Sequence, residues 1–343
     1  MNKKERLVYI DQMKGIAILL VIMGHLIGPN AGYNAVFSFI YSFHMPIFFI
    51  ISGYLGYKTT KIDSFKTYGI FLKKKFIVLV IPFLFWNLIA EKYFLRTVWH
   101  IPALNDLTDA VLLWNRLWFL KMLFIIFVFY GITHWISKMF TKPKVCFCAD
   151  VILFLAVAAC IGASILTVDK DYFTSLLLFT SFFYLGAFIS KYQWMEKLTM
   201  NHYVFSGSVI LFLTWICHWD LEGGNIDKLY KCIISPVAYI IILNICRRIT
   251  WNPKVSNQFE MFGKYSLAIY IVHFYLIEFT NHATVIEMNP VILFILSAVV
   301  AVMVGYLCIG FAKLMECSPV LDFLMFGKRN NTSLKKSALA ASG

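Results

Sequence analysis

Charge is scarce in this chain. Of its 343 residues only 14% are charged, and acidic ones are the scarcer, 18 against 31 basic. A soluble domain carries about a quarter charged residues, so an ordinary soluble fold is excluded. Paired cysteine spacings are absent too. The eight cysteines stand singly, apart from Cys146 and Cys148, and most fall in apolar runs. This excludes a zinc site and a disulfide framework and leaves small core residues. No small-residue cleavage site follows the first apolar run, which is too long for a signal peptide, so it is expected to stay as a permanent first span. Internal repeats are absent, and so are low-complexity tracts apart from the polar tail.

Apolar surface fills the space left by charge. The chain is 60% hydrophobic and 17% aromatic, with a mean hydropathy of +0.73. This composition belongs to an all-α polytopic membrane protein. About ten spans are expected, at 9–28, 34–56, 76–95, 116–137, 146–166, 173–190, 203–219, 229–246, 266–283 and 291–315. With the N-terminus inside, 23 of the 31 Lys and Arg fall on inner segments and 7 on outer ones, and Lys14 lies within the first span. Both termini are therefore expected in the cytoplasm, and the protein in the cell (inner) membrane as a multi-pass chain. The net charge of +13 is then a sorting signal at an anionic lipid leaflet, and nucleic acid is excluded as a partner. The expected organisation is one membrane domain over 1–320 and a cytoplasmic tail over 321–343, disordered in part.

The chain is organised around RLVYIDQMKGIAILLVIMGH, from Arg6 to His25. As a helix this is an apolar rod carrying Asp11, Lys14 and His25. Lys14 and His25 are eleven residues apart, which at about 100° per residue is three turns and one shared face; the rise between them is ~16 Å. Asp11 sits one turn before Lys14, placed for an i,i+3 ion pair. Each ionisable group within a span costs at least ~2.5 kcal/mol unless it faces protein or water, so the face reads as functional, against a buried ion pair that only pins helices.

Other candidates follow along the chain. The second span holds FHMPIFFIISGYLGY, in which Pro46 frees a carbonyl and bends the helix, and Ser52 and Gly53 admit a neighbouring helix. His44 is either a second catalytic group or a hydrogen-bonded packing residue, packing being the first reading. Lys73, Lys74 and Lys75 precede the third span, as a topology signal or as contacts for the phosphates of a nucleotide-bearing donor. Arg116, Trp118 and Lys121 mark the outer end of the fourth span, as snorkelling groups in an aromatic belt or as a polar wall for an acceptor. His273 lies within the ninth span, with Tyr270 one turn before it and Glu278 and His282 beyond. It is a pore-lining group or a satisfied interhelical hydrogen-bond partner. No metal-ligand cluster is expected.

Arg6-x4-Asp11-x2-Lys14-Gly-Ile-Ala, Gly24-His25, Phe43-His44-Met45-Pro46-Ile-Phe-Phe and Ser52-Gly53 together resemble the membrane acyltransferase-3 family. Trp118-Phe-Leu, Phe183-Tyr-Leu-Gly186 and Gly263-x2-Ser266-x3-Tyr270-x2-His273 fit it further along, so the likeness runs from about 6 to 315. The resemblance implies an integral membrane O-acyltransferase, usually an O-acetyltransferase, moving acyl groups from cytoplasmic acyl-CoA to surface glycans. The family's basic residue, ten positions before a histidine, is usually Arg; here it is Lys14, which keeps the charge and loses the bidentate fork. Where the family often has two Arg three apart ahead of a Pro, this chain has Lys75 and Val78. Some relatives carry an extracytoplasmic esterase-like domain; without one, this chain is expected to deliver the acyl group itself or through a partner.

The expected chemistry has His25 as general base or transient acyl carrier. Lys14, with Lys74 and Lys75, steadies the donor's anionic end, and Asp11 holds Lys14. Arg116, Trp118, His44 and His273 are candidates for the acceptor side. Acetyl-CoA or another acyl-CoA is the co-substrate, a surface polysaccharide or lipid-linked sugar is the acceptor, and no bound cofactor is expected. The rival class is a secondary transporter or lipid-linked glycan exporter using the same intramembrane groups.

Overall fold

A computed structural model describes residues 7–28, 35–95, 117–165, 170–215, 225–277 and 288–328. Among them the chain is helical, with no strand. Seven helices are long and apolar enough to cross a membrane: Val8–Ile27, Ala35–Thr59, Trp118–Ser137, Pro143–Ile165, Asp171–Lys191, Lys228–Arg248 and Pro290–Met315. Each falls on a span read from the sequence. The three other expected spans correspond to a mixed α and π segment before Leu95 and to two shorter apolar helices, His202–Trp215 and Ser266–Ile277. Residues 216–219 and 278–283, which would complete those two, lie outside the described residues, as does Arg116.

Two compact units share the chain, one of 1–60 with 137–309 and one of 61–136 with 310–343. The first is built around α1, Val8–Ile27, of which fourteen residues are buried, Asp11 and Gln12 among them. Gly28 ends this helix at φ 72°, returning its N–H to Gly24 O; an L side chain there would be strained. The next span is two helices, α2 (Ala35–Tyr41) and α3 (His44–Thr59), broken at Ser42 and Phe43. Pro46 thus sits in the first turn of a new helix, where its missing N–H has no intrahelical partner to lose. The carbonyl it leaves free, that of Ser42, accepts from Ser235 Oγ at 3.0 Å. The expected bend is therefore a full interruption with its polar groups satisfied.

Two glycine pairs set how closely the helices of this unit approach. Where α1 meets Pro253–Lys264, a Cβ on Gly15 would lie 2.1 Å from Phe259 O, and one on Gly263 1.9 Å from Asp11 O. Where α3 meets Lys170–Lys191, a Cβ on Gly53 would lie 1.8 Å from Phe183 O, and one on Gly186 1.9 Å from Ile50 O. In both places backbone rests on backbone, as small residues allow inside membranes. The N-terminal end of α1 is tied further: Tyr9 and Tyr54 share a hydroxyl hydrogen bond of 2.9 Å, and Tyr54 donates to Glu196 at 3.3 Å. Arg247 pairs with Glu196 at 3.1 Å and lies over the Tyr9 ring. Lys191 bridges Asp150 and Ser137, each at 2.6 Å, and Tyr192 also donates to Asp150.

In the second unit, Phe65–Lys75 opens on a reciprocal cap between Ser64 and Thr67. The chain then widens into π-helical turns, Phe76–Val80 and Phe85–Leu95, on either side of Ile81–Leu84. Pro82 explains the widening before it: the residue cannot donate to Val78 O, and its ring would collide with that carbonyl in a regular helix. Pro319–Phe326 is held against this stretch, with Trp86 Nε1 donating to Met325 O at 3.1 Å and Gly327, at φ 65°, resting on Ile77 O. Lys328 pairs with Glu316 at 2.5 Å and with Asp322 at 3.5 Å. The expected tail therefore begins as an ordered, capped helix; residues from 329 lie outside the described ones.

Adding a methyl group at Gly53 or Gly263 forces two backbones apart. Gly53→Ala and Gly263→Ala are expected to cost about 1–3 kcal/mol or more each by overpacking. Gly162→Ala, where a Cβ meets nothing within 4 Å, is the neutral control. Thermal unfolding of the detergent-extracted proteins measures the difference.

Candidate active site

The site is built on α1. Asp11 and Lys14 form the i,i+3 ion pair read from the sequence, Nζ to Oδ1 2.7 Å, with the carboxylate 7% exposed and the lysine 23%. The lysine is therefore open to a second anion while its partner is fixed. The amphipathic helix Pro253–Lys264, capped by Asn252 and started by Pro253, holds this turn. Gln12 Nε2 donates to Ser256 Oγ at 2.9 Å, and Ser256 donates to Glu260 Oε1 at 2.7 Å. Gly263 presses on the Asp11 carbonyl, so this glycine of the motif serves as packing for the ion pair's helix.

Three turns on, His25 is half-buried on a helix whose neighbouring residues are buried. Aromatic rings surround it. The Phe274 ring centre is 4.3 Å away, that of His273 5.3 Å and that of Tyr41 6.2 Å, edge-on. The Tyr41 hydroxyl lies 3.4 Å from His25 Nδ1. Gly24 makes room for this neighbour, since a Cβ there would lie 2.8 Å from Tyr41 Cε2. The glycine of the Gly24-His25 pair thus lets a phenol lie beside the imidazole. For His25 Nε2 to take a proton, Nδ1 must carry its own, and the Tyr41 oxygen is there to accept it.

His44 and His273 both bond to their own helices. His44, 4% exposed, donates from Nδ1 to Ile40 O at 2.8 Å, across the break between α2 and α3, and its ring meets Tyr41 at 4.7 Å. This geometry suits the packing reading of that residue: it adds a second donor to a carbonyl that already accepts the Phe43 N–H at 3.3 Å. His273, fully buried on Ser266–Ile277, donates from Nδ1 to Ile269 O at 2.9 Å. The structure thus gathers His25, His44 and His273 around Tyr41 and Phe274. Neither aromatic stood out in the sequence, although Tyr41-x2-His44 has helical i,i+3 spacing.

The remaining candidates belong to the second unit. Lys74 is exposed and Lys75 half-buried, its ammonium 3.7 Å from the centre of the Phe127 ring and 5.6 Å from that of Phe71. Trp118 opens Trp118–Ser137 beside Phe119. Among the described residues, no cluster of three or more His, Cys, Asp or Glu could hold a metal ion.

A family model described as an acyltransferase domain matches residues 7–310. Two curated relatives are both called nodulation protein NolL. That of Sinorhizobium fredii is 36% identical over 103 residues, 28% of this chain and 27% of the relative. That of Mesorhizobium japonicum is 34% identical over 129 residues, 34% of this chain and 33% of the relative. The chain thus spans about a third or less of the length of these relatives. No solved structure matches it.

The capping role of His44 is open to a direct check. His44→Leu removes the side-chain bond to Ile40 O, which keeps only the Phe43 N–H, and is expected to cost about 0.5–1.5 kcal/mol. His44→Asn, whose amide can reach the same carbonyl, restores most of that. Melting temperatures of the purified variants, with turnover per folded molecule alongside, are the readout; a catalytic role would instead show both variants folded and inactive.

Proposed function

The chain belongs to the acyltransferase domain family, and on that premise we propose that it is a multi-pass membrane O-acyltransferase with His25 as its general base. The donor is acyl-CoA, acetyl-CoA first among the choices, and the acceptor is a hydroxyl of a surface polysaccharide or lipid-linked sugar. Ten spans with both termini in the cytoplasm of the cell membrane complete the proposal, putting Lys14 toward the donor's side and His25 toward the acceptor's. The observation that carries the reading is the half-buried His25 imidazole with Tyr41 at Nδ1, on the helix whose inner turn carries the Asp11–Lys14 pair.

A sugar hydroxyl is a weak nucleophile until its proton is taken as it attacks. His25 Nε2 receives that proton while the hydroxyl oxygen bonds to the thioester carbonyl carbon. Collapse of the tetrahedral intermediate breaks the C–S bond, and the proton on His25 passes to the departing CoA sulfur. Atoms and charge balance without a further reagent. Lys14, pinned by Asp11, meets the donor's anionic end. In the second unit, Lys75 rests on the Phe127 and Phe71 rings. A base adjusted by an aromatic hydroxyl supports transfer chemistry better than it supports transport.

His25→Ala is expected to abolish acyl transfer, at least a thousandfold, with the protein still in the membrane. Tyr41→Phe is expected to lower kcat about tenfold with little change in KM. Lys14→Met should raise the KM for acyl-CoA about tenfold or more, and Lys14→Arg should restore it. Transfer of labelled acyl groups from acyl-CoA to de-esterified glycan by membranes holding each variant measures all four. Wild-type transfer by His25→Ala would remove the proposed base.

A further inference from the structure

His273 is fully buried, yet only one of its nitrogens is satisfied. Nδ1 bonds to the Ile269 carbonyl oxygen, which only an N–H can do, so Nδ1 carries the ring proton and Nε2 of the neutral ring is a bare lone pair. Among the described residues that Nε2 has no hydrogen-bond partner. An unsatisfied buried acceptor is costly, and such a group calls for an explanation in function or in a ligand. Its polar neighbour is the other imidazole: the rings of His273 and His25 are 5.3 Å apart, tilted by 45°, and Phe274 lies 4.3 Å from each, closing their shared flank. Tyr270, one turn earlier, brings its ring to 6.1 Å from that of His273.

We propose that His273 is a positioning residue for the transfer reaction, its Nε2 lone pair stabilising His25 while His25 holds the acceptor's proton. This rests on the reading of His25 as base. Neutral His25 has one N–H, and the imidazolium formed during attack has two. The Tyr41 oxygen lies at Nδ1, the new N–H faces the acceptor and then the CoA sulfur, and the His273 ring, 5.3 Å away, offsets the imidazolium charge through its lone pair. The His273 ring gains no proton, because its own N–H is committed to Ile269. The proton stays on His25 until the thiolate leaves and collects it. In a dry site a fixed acceptor of this kind stabilises developing positive charge without reorganising at the moment of reaction.

Two substitutions separate this role from simple packing. His273→Asn keeps an amide N–H near the Nδ1 position, for Ile269 O, and removes the Nε2 acceptor. His273→Gln carries an amide oxygen toward the Nε2 position and gives up the bond to Ile269. The full-length protein in membranes would be assayed with acetyl-CoA and the source cell's own surface glycan, stripped of esters by mild alkali, with rates normalised to folded protein. The expected result is a kcat at least tenfold lower for His273→Asn than for His273→Gln, with KM for both substrates within a factor of two of wild type. Packing alone predicts the reverse order. His273→Asn as active as His273→Gln or more so, or a loss residing in KM, overturns the inference. His25→Ala assayed in parallel distinguishes the two failures: an active His25→Ala overturns the base itself, whereas an inactive one beside an unimpaired His273→Asn overturns only the role of His273.

Discussion

The constraint on which this structure turns is the cost of ionisable side chains in an apolar helix. Asp11, Lys14 and His25 can be carried through a membrane only if protein, water or substrate meets them. The first helix meets the requirement by being enclosed. Most of its length is buried, its acid is paired at once with its lysine, and the glycine contacts of Gly15 and Gly263 bring a second helix against that pair. What stays partly open is the lysine and the imidazole, the two groups for which the proposed chemistry has a use.

Those parts of the architecture governed by local periodicity were legible in the sequence. The first helix, its Asp11–Lys14 pair and the seven long apolar helices follow from spacing and hydropathy alone. The close approach at Gly53 was legible because a small residue in an apolar span has few other uses. Less of the surroundings of His25 could be read. Tyr41 and Phe274 reach it from α2 and from Ser266–Ile277, segments separated in sequence and joined only by packing. Pro46 pointed to a disturbance, but not to a helix ending at Tyr41 and restarting at His44, because the bonds that satisfy that break come from Ser235 and from the side chain of His44. The π turns around Pro82 are a backbone response that residue patterns do not encode.

Several motif residues also change meaning once their contacts are seen. Gly186 and Gly263 belong to the motif set as packing positions, since each presses on a facing backbone carbonyl. Gly24 lies beside His25 and leaves space for Tyr41. His44 holds a carbonyl at a helix break. The proposed base and donor groups lie on one helix, and the glycines of the motif set bring its neighbours close.

The most direct measurement is an experimental structure of the whole chain with a non-transferable acyl-CoA analogue, its thioester replaced by an inert thioether or ketone. The account predicts the analogue's phosphates near Lys14 and its reacting carbon within one hydroxyl's width of His25 Nε2. An analogue bound away from His25, or an imidazole sealed by aliphatic neighbours with the donor in place, would contradict it.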